Sequence, residues 1–185
     1  MTDHEIIKGL IARDNKVTEE FFFVKCRPLF CSIIGKVFDY EVDYDEFVNE
    51  LYIYLMENDG SKLRNFKYRS TVYQWLKILA IRFFISKRGR MIDDSSKETP
   101  YDGRNLAAAA DGRDMTAEGD LERLFNNMPN RRYVLVIRRL ILENWTPEDL
   151  AQEMNITTAN LYNIKRRAMA QLTRAALNDI KEYGK

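Results

Sequence analysis

The chain has 185 residues and a mass of 21.9 kDa, with 45% hydrophobic and 31% charged residues. That is room for one ordinary domain or two small ones, and the composition excludes a collagenous or fully disordered chain. A net charge of +1, one histidine (His4) and two cysteines leave little equipment for zinc, histidine-dependent or disulfide chemistry.

Residues 3–13 read as a short helix with Ile6, Ile7, Leu10 and Ile11 on its apolar side, closed by Asp14 and Asn15. Thr18 is the expected cap of the next helix, with Glu19 and Glu20 at its positive end. Phe22, Cys26, Leu29, Ile33 and Val37 are its apolar row, and Pro28 marks a kink or boundary within it. Asp43 or Asp45 caps a third helix running through Met56, which Asn58, Asp59 and Gly60 stop. A loop with Phe66 and Tyr68 leads to a helix from about Thr71. Trp75, Leu76, Leu79, Ala80 and Phe83 give that helix a wide apolar face, and Gly89 is its expected end. Residues 93–117 lose all periodicity and read as a flexible linker, although Ala107–Ala110 could hold a helical turn. Beyond it, Leu121, Leu124, Phe125 and Met128 precede a helix from Tyr133 to Leu142 that packs through Val134, Ile137, Leu140 and Ile141. The expected fold is all-α, with two small helical domains at 1–92 and 118–185.

Charge alternates in blocks along the chain. Between Asp39 and Asp59 there are eight acids and no Lys or Arg; between Lys62 and Arg90 there are nine basic residues and no acid. From Asp93 to Glu122 nine acids face three basic residues. Basic character returns at Arg131, Arg132, Arg138 and Arg139, and again at Lys165, Arg166 and Arg167. The pattern suggests an acidic, protein-facing surface beside basic, nucleic-acid-facing ones.

The sharpest local pattern spans Thr146–Leu172. Thr146 caps a short helix with Pro147 at its first position, and Leu150, Ala151 and Met154 form its apolar side. Asn155 stands where a left-handed residue can turn the chain, and Thr157 caps a second helix. Leu161, Ile164, Ala168 and Leu172 repeat along that helix at intervals of three and four. This is the pattern of a helix-turn-helix whose second helix enters a DNA major groove. Its exposed candidates are Thr158, Tyr162, Asn163, Arg166 and Arg167. Arg can fork onto guanine, Asn can pair with adenine, and either can instead hold phosphate.

Taken together, these segments resemble a bacterial sigma factor of the extracytoplasmic-function group, over about residues 5–90 and 118–176. Tyr44-Asp45-Glu46-Phe47-Val48-Asn49-Glu50-Leu51-Tyr52 is similar to that family's helix for binding RNA polymerase core. Phe66 through Leu76 is similar to its promoter-melting segment, and Ala80 through Arg88 to its basic helix beside the −10 element. Asp149 through Leu172 is similar to its −35-reading motif. Some positions depart from the pattern: Asn49 replaces a common glutamine, Met56 a frequent tryptophan, and Asn155 the usual turn glycine. Ile164 and Lys165 exchange a basic and an apolar position, so no promoter sequence carries over.

The resemblance implies a sigma factor that binds core polymerase and directs promoter recognition, DNA opening and transcription initiation. Core polymerase and promoter DNA are its implied partners, and an anti-sigma factor is a further one the family allows. Asp45, Glu46, Asn49 and Glu50 would dock the polymerase. Tyr68, Tyr73, Arg82, Lys87 and Arg88 would engage −10 DNA, and Thr158, Tyr162, Asn163, Arg166 and Arg167 the −35 element. Trp75 is weighted towards the core. The alternative is a two-domain helix-turn-helix regulator that binds duplex DNA without polymerase. No phosphate loop, nucleophile elbow or metal-ligand spacing points to an enzyme, so no catalytic residue, metal or cofactor is expected. No apolar run reaches the roughly 18 residues of a membrane span, and Asp3 and Glu5 spoil a signal-peptide start. The expected setting is the cytoplasm, with Cys26 and Cys31 reduced and filling core space.

Overall fold

A computed structural model describes residues 1–96 and 117–183, and every element in those residues is helical. The chain is all-α across them. Helix α1 (Asp3–Ile11) opens with a capping box: Thr2 Oγ1 accepts from the Glu5 amide, and Glu5 Oε2 accepts from the Thr2 amide at 2.7 Å. Ile6, Ile7 and Leu10 are its buried side.

Helix α2 (Asn15–Val17) widens into a π-helical segment over Thr18–Lys25. Its cap corrects the expectation for Thr18. Asp14 Oδ1 accepts from the Val17 amide at 3.0 Å, and the Thr18 amide is already bonded to the Asp14 carbonyl. Thr18 therefore lies inside the helix, and its hydroxyl is buried without a hydrogen-bond partner. The widened turn buries adjacent rings, Phe21 and Phe22, on the same core. Helix α3 (Arg27–Val37) begins at the boundary that Pro28 signalled, with the proline in its first turn, where no amide donor is needed.

Asp43 caps α4 (Tyr44–Arg64) by accepting from the Glu46 amide at 2.9 Å. The expected stop is present. Asn58, Asp59 and Gly60 adopt φ of 51°, 57° and 70°, a left-handed run these residue types tolerate, before one last turn. Ion pairs Lys62–Glu57 and Arg64–Asp59, at 2.9 Å and 2.7 Å, brace the break from its far side.

Helix α5 (Val72–Ser96) starts with Thr71 Oγ1 accepting from the Gln74 amide. It does not end at Gly89. The helix continues to Ser96, and Gly89 instead leaves room for a neighbour: a Cβ there would stand 3.1 Å from Leu177 Cγ. The start of the expected linker, 93–96, thus belongs to α5. Residues 97–116, with Ala107–Ala110, lie outside the described residues.

Helix α6 (Ala117–Asn126) buries Leu121, Leu124 and Phe125, followed by Met128. Asn130 caps α7 (Arg131–Ile137), which widens over Arg138–Leu142. Helix α8 (Pro147–Glu153) has Thr146 Oγ1 accepting from the Asp149 amide at 3.1 Å, and Asn155 turns the chain at φ 53°. Thr157 Oγ1 then accepts from the Asn160 amide at the start of α9 (Thr158–Tyr183).

Helix α5 is the shared wall. It packs against α3 on one side and against α6 and α9 on another, while α7 and α8 pack on α9 and α1 packs on α4. The buried side chains of all these helices form one continuous cluster.

Close approach also decides a testable substitution in the first helix. A Cβ on Gly9 would sit 2.7 Å from Val17 Cγ2 and 2.8 Å from Val17 Cβ. Gly9→Ala should gain about 1 kcal/mol of helix propensity yet lose more to overpacking, which typically costs 1–3 kcal/mol or above. Urea unfolding should give a lower midpoint for Gly9→Ala, largely restored in Gly9→Ala/Val17→Ala. A raised midpoint in the single variant would contradict the packing of α1 on Val17.

Candidate protein and nucleic-acid interfaces

One exposed face of α4 combines charge with an apolar side chain. Asp45, Glu46 and Asn49 are exposed, and Ile53, one turn beyond Asn49, is 63% exposed. Glu50 is separate from this row. It turns inward and its carboxylate pairs with the Lys87 ammonium, which also lies 4.2 Å from the centre of the Phe47 ring. The expected docking set is therefore divided, with Asp45, Glu46 and Asn49 facing out and Glu50 occupied.

The expected −10 residues divide in a similar way. Tyr68 is 48% exposed on a backbone at φ 55°, its ring 4.7 Å from Phe66, and Tyr73 is exposed on the first turn of α5. Trp75 is half-buried, 5.3 Å from Phe66, so its ring belongs mainly to the packing. Arg69, beside Tyr68 in the same loop, is also exposed.

The three α5 cations expected at the −10 element, Arg82, Lys87 and Arg88, have partners within the chain. Lys87 and Arg88 are both 8% exposed. Arg88 donates to the Val37 carbonyl at 2.6 Å and to Asp39 Oδ1 at 3.0 Å. Burial acts most strongly, to raise the Asp39 carboxyl, but the hydrogen bond and charge of Arg88, with a backbone hydrogen bond and the Lys165 charge, together hold the group below its ordinary value. Arg82 lies 3.2 Å from Asp120 and 3.5 Å from Asp179. Burial pushes the Asp120 carboxyl above its ordinary value, with Arg82 and Arg123 opposing that shift. Periodicity could not reveal these pairings, because their members are 37 to 97 positions apart.

On α9 the inner row is Leu161, Ile164, Ala168 and Leu172, each at most 8% exposed. The opposite side presents Tyr162 (52% exposed), Asn163, Arg166 and Arg167, with Thr158 half-buried at its start. Asn160 is exposed one turn before Asn163 and extends that surface; its i, i+3 spacing was the available signal. No carboxylate among the described residues lies within ion-pair reach of Arg166 or Arg167. Lys165 faces elsewhere. It is half-buried, and burial holds its ammonium below its ordinary value, with Asp39 favouring the charge and Arg88 opposing it.

No family model, curated protein or solved structure matches this chain. Among the described residues, no group of three His, Cys, Asp or Glu side chains could hold a metal ion, and no helix is long and apolar enough to cross a membrane.

The Lys87–Glu50 pair has a measurable consequence. Losing one member of a dry pair costs about 3–5 kcal/mol, and side-chain exposures of 10% and 15% reduce this to about 2–3 kcal/mol. Glu50→Ala should destabilise by that amount in urea unfolding, and Glu50→Leu/Lys87→Met should recover most of it. A near-zero cost for Glu50→Ala would mean that Lys87 finds solvent instead.

Proposed function

We propose that this chain is a promoter-specificity subunit of RNA polymerase, similar in plan to sigma factors, and that it carries no catalytic chemistry of its own. The observation that supports this most is the pair α8 and α9 joined at the Asn155 turn, which we read as a helix-turn-helix. A buried apolar row fixes α9, and the directional donors Asn163, Arg166 and Arg167 stand on its open side. Tyr162 beside them offers a ring for a thymine methyl or a sugar. In this reading residues 118–185 read the −35 element and residues 1–92 serve the polymerase and the −10 element, with the intervening segment as connector.

The open face of α4 suits a protein partner. Asp45, Glu46 and Asn49 would steer and register the core enzyme, and exposed Ile53 would bury apolar area at the contact. Tyr68 and Tyr73 would stack on separated bases, each such contact being worth about 1–3 kcal/mol. Polymerase supplies the nucleotide chemistry, and this chain supplies position, base recognition and strand capture.

One observation favours the second reading, a duplex-DNA regulator independent of polymerase: Arg82, Lys87 and Arg88 are all internally partnered. Reconstituted transcription with bacterial core enzyme over a promoter library separates the two. The proposal expects transcripts from a defined subset of promoters only when this chain is present. It also expects Asn163→Ala and Arg166→Ala to reorder that subset, with changes of about 1–3 kcal/mol at the affected base pairs. Sequence-specific duplex binding with no transcript and no affinity for core would replace the proposal with the second reading.

A further inference from the structure

Most cations that the fold takes out of solvent meet a carboxylate. Lys62 pairs with Glu57, Arg82 with Asp120, Lys87 with Glu50 and Arg88 with Asp39. Lys36 on α3, Lys77 on α5 and Lys165 on α9 are half-buried too, yet none has an ion-pair partner among the described residues. Lys36 donates to Asn144 Oδ1 and Lys77 to the Leu142 carbonyl, both at 2.6 Å. These acceptors stand two residues apart where the chain turns from α7 to α8, and both are neutral. The acid between them, Glu143, is bonded to Arg139 instead.

Charge at this seam is one-sided. Burial disfavours the Lys36 ammonium most, and the nearby Lys77 and Lys165 add to the effect. Burial also holds the Lys77 and Lys165 ammonium groups below their ordinary values. Asp39 favours the charge on Lys165, but its carboxylate is already bonded to Arg88 at 3.0 Å. An unpaired charge in a partly dry setting is costly, and neutral acceptors offset only part of that cost. Donors are left over as well. Each ammonium carries three, of which Lys36 and Lys77 each spend one on this turn. Lys165 makes no hydrogen bond among the described residues.

We propose that Lys36, Lys77 and Lys165 form a binding site for a small oligophosphate anion at the turn between α7 and α8. Three uncompensated ammonium groups call for a multivalent anion rather than a single negative charge. Lysine suits phosphate because a compact ammonium meets its oxygens as a point charge and demands no fixed angle of approach. A small anion fits the setting better than a nucleic-acid backbone. These lysines are half-buried between helices, whereas the guanidinium groups open to a duplex are those of Arg166 and Arg167. Bound phosphate would join α3, α5 and α9 through charge-assisted bonds in place of mutual repulsion. The site is independent of the promoter-specificity reading and stands or falls separately from it.

The test titrates the full chain with inorganic triphosphate at neutral pH, with sodium chloride of equal ionic strength as the reference. Calorimetry should show saturable binding, and the thermal unfolding midpoint should rise with triphosphate and not with chloride. Lys36→Met/Lys77→Met should weaken triphosphate binding by about tenfold or more for each lysine removed, the worth of a charge-assisted hydrogen bond. A second measurement uses the parent chain, so it does not depend on how the variant folds. Triphosphate should slow acetylation of Lys36, Lys77 and Lys165 by acetic anhydride, read by peptide mass spectrometry, and leave the exposed Lys8, Lys16 and Lys25 unchanged. Equal acetylation of the three lysines with and without triphosphate, or undiminished affinity in the folded variant, would overturn the site. Loss of binding to a DNA duplex alongside triphosphate in that variant would assign the lysines to a nucleic-acid backbone and overturn the small-anion proposal.

Discussion

The structure depends on α5 being buried on nearly every side. From Leu79 to Gly89, only Arg82 and Ser86 keep intermediate exposure, so this helix has no solvent face over almost three turns. A helix that is apolar all round lies between layers rather than on a surface. Here the layers are α3 with the Phe47–Phe84 packing on one side and α6 with α9 on the other. Each fully buried large side chain contributes about 1.5–3 kcal/mol. Those of α5 make their contribution to both halves at once.

Burying this helix also decides the fate of its charges. The acidic block at 39–59 and the basic block at 62–90 are segregated in sequence, but the fold brings them together. Glu57 meets Lys62, Asp59 meets Arg64, Glu50 meets Lys87 and Asp39 meets Arg88. Charge separated along the chain becomes charge neutralised in space. What remains open is complementary in character: an acidic strip with Ile53 on α4, and an Asn–Arg surface on α9. Those two surfaces carry the functional reading.

Much of the local structure was legible from residue types. Asp43, Thr146 and Thr157 are caps because their short oxygens reach the orphan amides of the first turn. Asn58, Asp59 and Asn155 turn the chain because they tolerate positive φ. The row Leu161, Ile164, Ala168 and Leu172 was legible because one face of α9 is buried and periodicity reports one-sided burial well. The same signal was incomplete on α5: Leu76, Leu79, Ala80 and Phe83 are buried as expected, but burial from a second side also covers Lys87 and Arg88, which periodicity leaves outside. Gly89 looked like a stop for a related reason: its role is to admit Leu177, 88 positions away, and nothing local records that. Thr18 was misplaced because Asp14, a stronger local acceptor, had already started the helix.

The most direct measurement of the central claim is a set of nuclear Overhauser contacts to the Leu177 methyl groups in the free chain. With α5 as the shared wall, these methyls should show cross-peaks to the Gly89 α-protons. Thr173 should show the same neighbour, since its Cγ2 lies 3.5 Å from the position of a Gly89 Cβ. Leu177 methyls that report only residues of α6 and α9, with none from α5, would contradict the account.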